Sequence, residues 1–145
     1  MYTVSDVMTP NPIALKEEDD LALAENIIHL GRVRHLPVVR KGKLIGLVTQ
    51  KDLLEAYARR GAARGPTLLA GEVMRKPVVS VKPGTPARDA FKLMLKQKYG
   101  CAPVVDADGT LVGIVTESDG VAFAMRMISE LDRVTQIGRK VAPKR

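Results

Sequence analysis

The sequence predicts an α/β (α+β) fold in which a β-α-β-β-α unit occurs twice. The phrase GLVTQKDL, at Gly46–Leu53, returns as GIVTESDG at Gly113–Gly120. Self-similarity of this length and order indicates a tandem repeat. Two shorter matches recur at a spacing of 66 residues, and they pair Pro37–Val39 with Pro103–Val105 and Val7-Met8 with Val73-Met74.

The first copy predicts each element of the unit in turn. Asn11 to Leu15 predicts a short strand that is entered through a proline. The acidic run Glu17–Asp20 then suits the N-terminus of a helix, and Gly31 suits its end. A hairpin follows, with LPVV and LIGLV as its strands, and a last helix opens at the Thr-x-x-Asp of the repeated phrase.

The second copy predicts the same elements from different residues. Pro77 to Val81 predicts the strand, Thr85 an N-cap, Pro86 the first helical position and Gly100 the helix end. The hairpin strands are APVV and LVGIV. We therefore expect a first repeat at 1–62, a linker at 63–71, a second repeat with an extended C-terminal helix at 72–135, and a basic tail at 136–145.

Composition excludes several classes of protein. The 145 residues contain no apolar run near the ~20 residues that a membrane-spanning helix needs, and the N-terminus lacks a signal-peptide pattern. We therefore expect a cytoplasmic protein that contacts no membrane. One cysteine and two histidines argue against a metal site. Because the sequence has neither a G-x-x-x-x-G-K loop nor a credible triad, we predict no catalytic residues and no enzyme activity.

The net charge of +7 is concentrated late in the chain. Five basic residues and no acid follow Asp132, a pattern that favours an anionic partner. A nucleic-acid-binding protein that uses this C-terminal segment is therefore the alternative function. Only five aromatic residues are available to stack on bases. A solvated tail explains the same charges.

The ordered set V-M, h-P-V-V and G-h-h-T-x-x-D, present twice, resembles a pair of CBS domains, the module first recognised in cystathionine β-synthase. The likeness covers nearly the whole chain. It implies two units packed through their sheets about a pseudo-two-fold axis, with clefts between them that bind adenosine nucleotides. It also implies a regulatory module without catalytic activity or a required cofactor, which signals to an effector protein.

The Thr-x-x-Asp motif has two interpretations. Thr49 with Asp52, and Thr116 with Asp119, have the spacing of a helix capping box. Aspartate is one methylene shorter than the usual glutamate, so the box accounts less well for the acid. An aspartate at an exposed helix N-terminus can instead accept both hydroxyls of a ribose, and we expect this ligand-binding role.

Basic residues near the first h-P-V-V motif are candidates to hold phosphate. Arg34 and His35 precede that motif, and the resemblance implies that such residues reach nucleotide phosphates across the central cleft. Lys51 is a further candidate. The second copy has Gly100 and Cys101 instead, so we expect two unequal sites. A surface arginine and an ordinary structural histidine are the alternatives.

The resemblance also implies an apolar slot for adenine in each copy. Its walls are the first strand and the residues before the h-P-V-V proline. Ordinary core packing explains the same residues. The candidates are Pro12, Ile13 and Leu36 in the first copy, and Val78, Val79, Cys101 and Ala102 in the second.

The predicted regulatory ligand is AMP, ADP or ATP, and S-adenosylmethionine shares the same adenosine group. The final helix is expected to run from Ser118 to about Val134. Its apolar residues cover more than one face, so we expect a homodimer in which a second copy buries the remainder.

Overall fold

The computed structural model describes residues 1–31, 33–60 and 68–141, and it has the predicted mixed α/β architecture. This described part contains six helices and six strands, arranged in two similar halves. In chain order they are α1 (Val4–Val7), β1 (Thr9–Pro10), β2 (Leu15–Lys16), α2 (Leu21–Gly31), β3 (His35–Arg40), β4 (Lys43–Thr49), α3 (Gln50–Arg60), α4 (Ala70–Val73), α5 (Ala87–Gln97), β5 (Cys101–Val105), β6 (Leu111–Thr116) and α6 (Glu117–Val141).

Two three-stranded sheets, β2-β3-β4 and β1-β6-β5, are each built around one of the predicted hairpins. β3 pairs antiparallel with β4, and β5 with β6. Both hairpins carry a register shift at the same place, between Val38 and Val39 and between Val104 and Val105. The duplication therefore extends from the sequence to the details of strand pairing.

The opening segment of each repeat, residues 3–10 in the first and 69–76 in the second, packs on the other repeat. Val4 and Val7 are buried in a core whose other members lie at positions 81–115. Ala70 is buried among residues 15–53. The first strand of the chain, β1, accordingly joins the sheet of the second repeat through β6. The two repeats are therefore interlocked by a reciprocal exchange.

A methionine in each opening segment explains why both copies of the repeated phrase begin with glycine. A Cβ at Gly46 would lie 2.3 Å from Met74 Sδ and 2.9 Å from Met74 Cβ. A Cβ at Gly113 would lie 2.5 Å from Met8 Sδ and 3.1 Å from the Thr9 carbonyl oxygen. The V-M and G-h-h-T motifs thus recur together because each is in contact with the other across the repeats.

The first strands are shorter than predicted. Only Leu15 of the stretch from Asn11 to Leu15 lies in β2, since Asn11 has a left-handed backbone with φ of 47° and Pro12 has no N–H to pair. The stretch from Pro77 to Val81 contributes a single parallel bridge, from Val81 to Val104.

Several predicted helix ends are also wrong. Asp20 Oδ1 accepts a hydrogen bond from Leu23 N–H, so α2 begins only after the acidic run. Pro86 precedes α5 rather than opening it, and Thr85 Oγ1 accepts the Lys82 N–H of a turn instead of capping the helix. α5 ends before Lys98, whose left-handed backbone (φ of 55°) caps the helix two residues before the predicted end at Gly100.

α6 continues seven residues beyond the predicted end at Val134 and reaches Val141. Positions 136–141 of the predicted basic tail are therefore helical, while 142–145 lie outside the described residues. The same is true of 63–67 in the predicted linker.

Candidate functional site

Among the cavities of the described residues, two lie beside a Thr-x-x-Asp motif, and each of these has walls from both repeats. The Asp119 cavity has a volume of about 570 Å³, and the Asp52 cavity, named for the carboxylate behind its wall, about 140 Å³. Ligand pockets usually span roughly 300–1,000 Å³, so of these two the Asp119 cavity is the one with the size for a nucleoside. The Asp119 cavity is lined by Thr9, Asn11, Pro12, Ile13, Val33, Arg34, His35, Gly100, Ile114, Thr116, Glu117, Ser118 and Asp119. The Asp52 cavity is lined by His35, Leu47, Thr49, Arg75, Pro77, Val78, Val79, Lys98, Tyr99, Gly100, Cys101 and Pro103.

Each Thr-x-x-Asp motif forms a complete capping box at the start of its helix. Asp52 Oδ2 accepts Thr49 N–H at 2.9 Å, and Thr49 Oγ1 accepts Asp52 N–H at 3.2 Å. Asp119 Oδ2 and Thr116 Oγ1 make the same two bonds at 2.8 and 3.2 Å. The expectation that a capping box accounts less well for aspartate is therefore wrong, since both aspartates close the box with a single oxygen.

The other carboxylate oxygen of each aspartate contacts the opening segment of the opposite repeat. Arg75 Nε donates to Asp52 Oδ1 at 2.7 Å, which makes an ion pair. Thr9 Oγ1 donates to Asp119 Oδ1 at 2.9 Å. Thr9 and Arg75 are 66 residues apart and hold equivalent positions, so one carboxylate has a cationic partner and the other a neutral one.

His35 separates the two cavities and lines both of them. Its imidazole lies over Gly100, where an added Cβ would be 2.6 Å from His35 Nε2. Burial lowers the pKa of His35 below the ordinary 6.5, and nearby Arg34 acts in the same direction, while the carboxylates of Glu117 and Asp52 oppose the shift. His35 is therefore mostly neutral at pH 7 and offers a hydrogen bond rather than a full charge.

The charges around the Asp119 cavity have both signs. Arg34, an exposed residue, supplies one cation to its wall, while Glu117 and Asp119 supply two carboxylates. The N-terminus of α6 lies at the same wall, where the helix dipole favours an anion. Lys51 does not appear among the described residues of either wall, and its Nζ lies 3.9 Å from Glu55 Oε1.

The predicted adenine slots are divided between the two cavities. Pro12 and Ile13 line the Asp119 cavity, and Val78, Val79 and Cys101 line the Asp52 cavity. Leu36 and Ala102 are buried in the cores, and neither is among the described lining residues. Burial raises the pKa of the Cys101 thiol to about 12, so this cysteine is unreactive near neutral pH.

The sequence interpretation missed the residues that the opposite repeat contributes to each carboxylate. Neither Thr9 nor Arg75 belongs to a repeated motif, and both directly follow the repeated V-M pair. Aligning the copies at 66 residues places Thr9 opposite Arg75, so the difference was visible as a mismatch. Asn11, Tyr99, Glu117 and Ser118 are further lining residues that were not predicted.

Neither a metal centre nor a membrane span is found in the described ranges. No group of three or more His, Cys, Asp or Glu side chains there could hold a metal ion. No helix in the same ranges is both long enough and apolar enough to cross a bilayer.

Comparison with known proteins finds the same domain twice. The CBS domain model matches residues 4–59 and 70–125. The chain is 31% identical to the inosine-5'-monophosphate dehydrogenase of Korarchaeum cryptofilum over 81% of its own length but only 22% of the enzyme's. It therefore spans about a fifth of that relative.

Three solved structures share the fold over most of the chain. A putative acetoin utilization protein (AcuB) from Vibrio cholerae superposes with a TM-score of 0.82 at 36% identity, covering 92% of this chain and 97% of the other. CBSX2 in complex with AMP superposes with a TM-score of 0.76 at 32% identity, covering 88% of this chain and 98% of CBSX2. The CBS domain pair of MJ0100 was solved in complex with 5'-methylthioadenosine and S-adenosyl-L-methionine. It superposes with a TM-score of 0.75 at 28% identity, covering 84% of this chain and 98% of the other.

Proposed function

Because the chain belongs to the CBS domain family, with one CBS domain at residues 4–59 and another at 70–125, we propose that it is a regulatory module that binds an adenosine nucleotide and signals to a partner protein. The nucleotide binds in the Asp119 cavity. The complexes of CBSX2 with AMP and of MJ0100 with two adenosine compounds support this class of ligand. The enzymes among the relatives extend far beyond the matched region, so no catalytic step is assigned to this chain.

The observation that carries the proposal is the state of Asp119. Its Oδ2 is used by the capping box, while its Oδ1 lies at a cavity of nucleoside size and contacts only a neutral hydroxyl among its described partners. A carboxylate oxygen has a second lone pair, and the Thr9 hydroxyl can both donate and accept. A ribose diol can therefore bind Asp119 while Thr9 turns to bond the ligand.

The rest of the cavity fits the other parts of the ligand. Pro12 and Ile13 supply the apolar surface for adenine, and Ile13 is half exposed and free to be covered. Arg34 and the first turn of α6 supply the positive potential for phosphate. Glu117 opposes each added negative charge, which favours a single phosphate such as that of AMP over a longer chain.

Calorimetric titration of AMP, ADP, ATP and S-adenosylmethionine into the protein and into Asp119→Ala tests the proposal. Hydrogen bonds to a charged group contribute about 1.5–3 kcal/mol each, so we expect the variant to bind AMP about a hundredfold more weakly. Asp108→Ala, which removes an exposed carboxylate in the β5–β6 turn, is the matched control and keeps wild-type affinity. No binding of any of the four compounds to the wild type, or equal affinity in Asp119→Ala, would contradict the proposal.

We further propose that the protein forms a homodimer through α6. None of the residues of this helix is buried, and isolated helices are marginal in water unless an apolar face is packed. The first turn of α6 is acidic and its last turn basic, so a second α6 lying antiparallel places opposite charges together. Seven apolar residues along it are more than half exposed: Val121, Met125, Ile128, Leu131, Val134, Ile137 and Val141.

Light scattering coupled to size exclusion tests the dimer. We expect a dimer for the wild type at tens of micromolar, a monomer for Leu131→Glu, and a dimer for the control Ser129→Glu, which changes an exposed polar position of the same helix. A monomeric wild type, or a Leu131→Glu dimer of unchanged strength, would contradict a homodimer formed through α6.

A further inference from the structure

We propose that Arg75 closes the Asp52 cavity to ribose and thereby limits the chain to one nucleotide. The inference deepens the proposed function and rests on it. It makes Arg75 the specificity-determining residue of this module, since the Thr-x-x-Asp motif itself is complete in both repeats. The equivalent residue at the other cavity is Thr9.

The two positions are matched in backbone as well as in spacing. Thr9 pairs antiparallel with Ile114 of β6, and Arg75 pairs antiparallel with Leu47 of β4. Each side chain reaches the Oδ1 atom of the aspartate in the opposite repeat. At this position the two cavities therefore differ in side-chain chemistry alone, with the same capping box beneath each residue.

That chemistry differs in charge and in hydrogen-bonding capacity. A threonine hydroxyl is neutral, rotates freely and can accept as well as donate. The Arg75 guanidinium only donates, and it holds a charge-assisted bond to a carboxylate that is 8% exposed. A ribose hydroxyl that displaced Arg75 would leave Asp52 buried with a neutral partner in place of a cation. At Asp119, a ribose hydroxyl would replace the hydroxyl of Thr9, which is also neutral.

The space in the cavities agrees with this difference. Arg75 itself forms part of the wall of the Asp52 cavity, which is about a quarter of the volume of the Asp119 cavity. The Asp52 cavity still has an apolar wall, which is formed by Val78, Val79 and Cys101. The Asp52 cavity thus retains a slot suited to adenine, while both oxygens of its aspartate are already engaged.

The experiment is a side-chain exchange read by calorimetric stoichiometry with AMP. We expect one AMP per chain for the wild type, two for Arg75→Thr and none for Thr9→Arg. The double exchange, Thr9→Arg with Arg75→Thr, binds one AMP in the opposite cavity. In that background Asp52→Ala, rather than Asp119→Ala, then lowers affinity about a hundredfold.

Arg40→Thr is the matched control, because it breaks another arginine–carboxylate ion pair, to Glu17, away from both cavities. It keeps one AMP per chain. Circular dichroism checks that each variant is folded, and the half-exposed Arg75 side chain leaves no cavity in a core when it is shortened.

The outcomes separate this inference from the proposed function. A wild type that binds no adenosine compound overturns both. Two AMP molecules per wild-type chain, or a folded Arg75→Thr variant that still binds one AMP, would overturn the role of Arg75. Either result would still agree with the proposed nucleotide-binding function. If Arg75→Thr fails to fold, Thr9→Arg decides, since wild-type affinity in that variant overturns the inference.

Discussion

The Asp52 and Asp119 ends of the molecule have the same local structure but different surroundings. Both aspartates close a capping box with one oxygen and reach the opposite repeat with the other. Arg75 forms an ion pair with one, and Thr9 gives the other a neutral hydrogen-bond partner. The repeated phrase therefore builds the carboxylate, while a residue outside the phrase determines what that carboxylate can bind.

A second difference lies at the centre of the pseudo-two-fold axis. Arg34 and His35 occupy the positions that Gly100 and Cys101 occupy in the other repeat. The His35 ring fills the space above Gly100, where an added Cβ would lie 2.6 Å from His35 Nε2. With His35 in this position, the large residue of one copy is matched by the smallest residue in the other.

The contacts that the two halves have in common should give the largest effect. Gly46→Ala should lower the free energy of unfolding by about 2 kcal/mol, because the new methyl group meets Met74 as far back as its Cβ. Gly113→Ala should cost about 1 kcal/mol, since the contact below 3.0 Å there is with the flexible end of Met8, while the Thr9 carbonyl oxygen lies at 3.1 Å. Urea unfolding of both variants measures the difference, and equal losses would contradict it.

Removing the cation of one half should have the next largest effect. We expect Arg34→Ala to weaken AMP binding about tenfold and adenosine binding little, because an exposed arginine interacts with phosphate through partly screened charge. Lys51→Ala is the control, since Lys51 faces Glu55. Titration of AMP and adenosine into each variant tests this, and equal losses for the two ligands would place the phosphate elsewhere.

Neutralising Glu117 of the Asp119 cavity should change AMP affinity less than the loss of Arg34, and in the opposite direction. Glu117→Gln should tighten AMP binding about threefold at low salt, because a like charge is removed from the phosphate end of the cavity. Adenosine affinity should stay the same, and the gain should shrink as salt is added. A weaker AMP complex would mean that Glu117 binds the ligand directly.

The smallest expected effect is a pH dependence of stability through His35. Because burial lowers its pKa in the folded chain, the unfolded chain takes up the proton first. Stability is therefore retained above about 6.5 and lost as pH falls from there through the lower folded pKa. His35→Gln should weaken the dependence of the urea unfolding midpoint on pH over this window. An unchanged dependence in the variant would assign the loss of stability to other titrating groups.

The sequence was sufficient for the elements whose signals are local. Both hairpins and both helices after the Thr-x-x-Asp motif are where the repeated phrase predicts them. The end of α6 was predicted too early at Val134. No proline lies near that residue to stop the helix, and Gly138 does not end it either. The exchange of opening segments could not be predicted, since Val4 and Ala70 have equally apolar partners in either repeat. The ion pair of Asp52 was missed for a related reason, because its partner lies in a segment placed by that exchange.

The reciprocal exchange also sets the order in which the chain can fold as it leaves the ribosome. The first repeat emerges with Val4 and Val7 unable to reach the core they fill, whose residues lie at positions 81–115 and have not been synthesised. Its own core waits for Ala70, whose N–H donates to the Asp19 carbonyl oxygen at 2.7 Å. Domains usually fold one after another during synthesis, but here neither half has its full set of contacts alone. A nascent chain halted near residue 65 should therefore remain sensitive to protease, and release of the second repeat should protect both halves together.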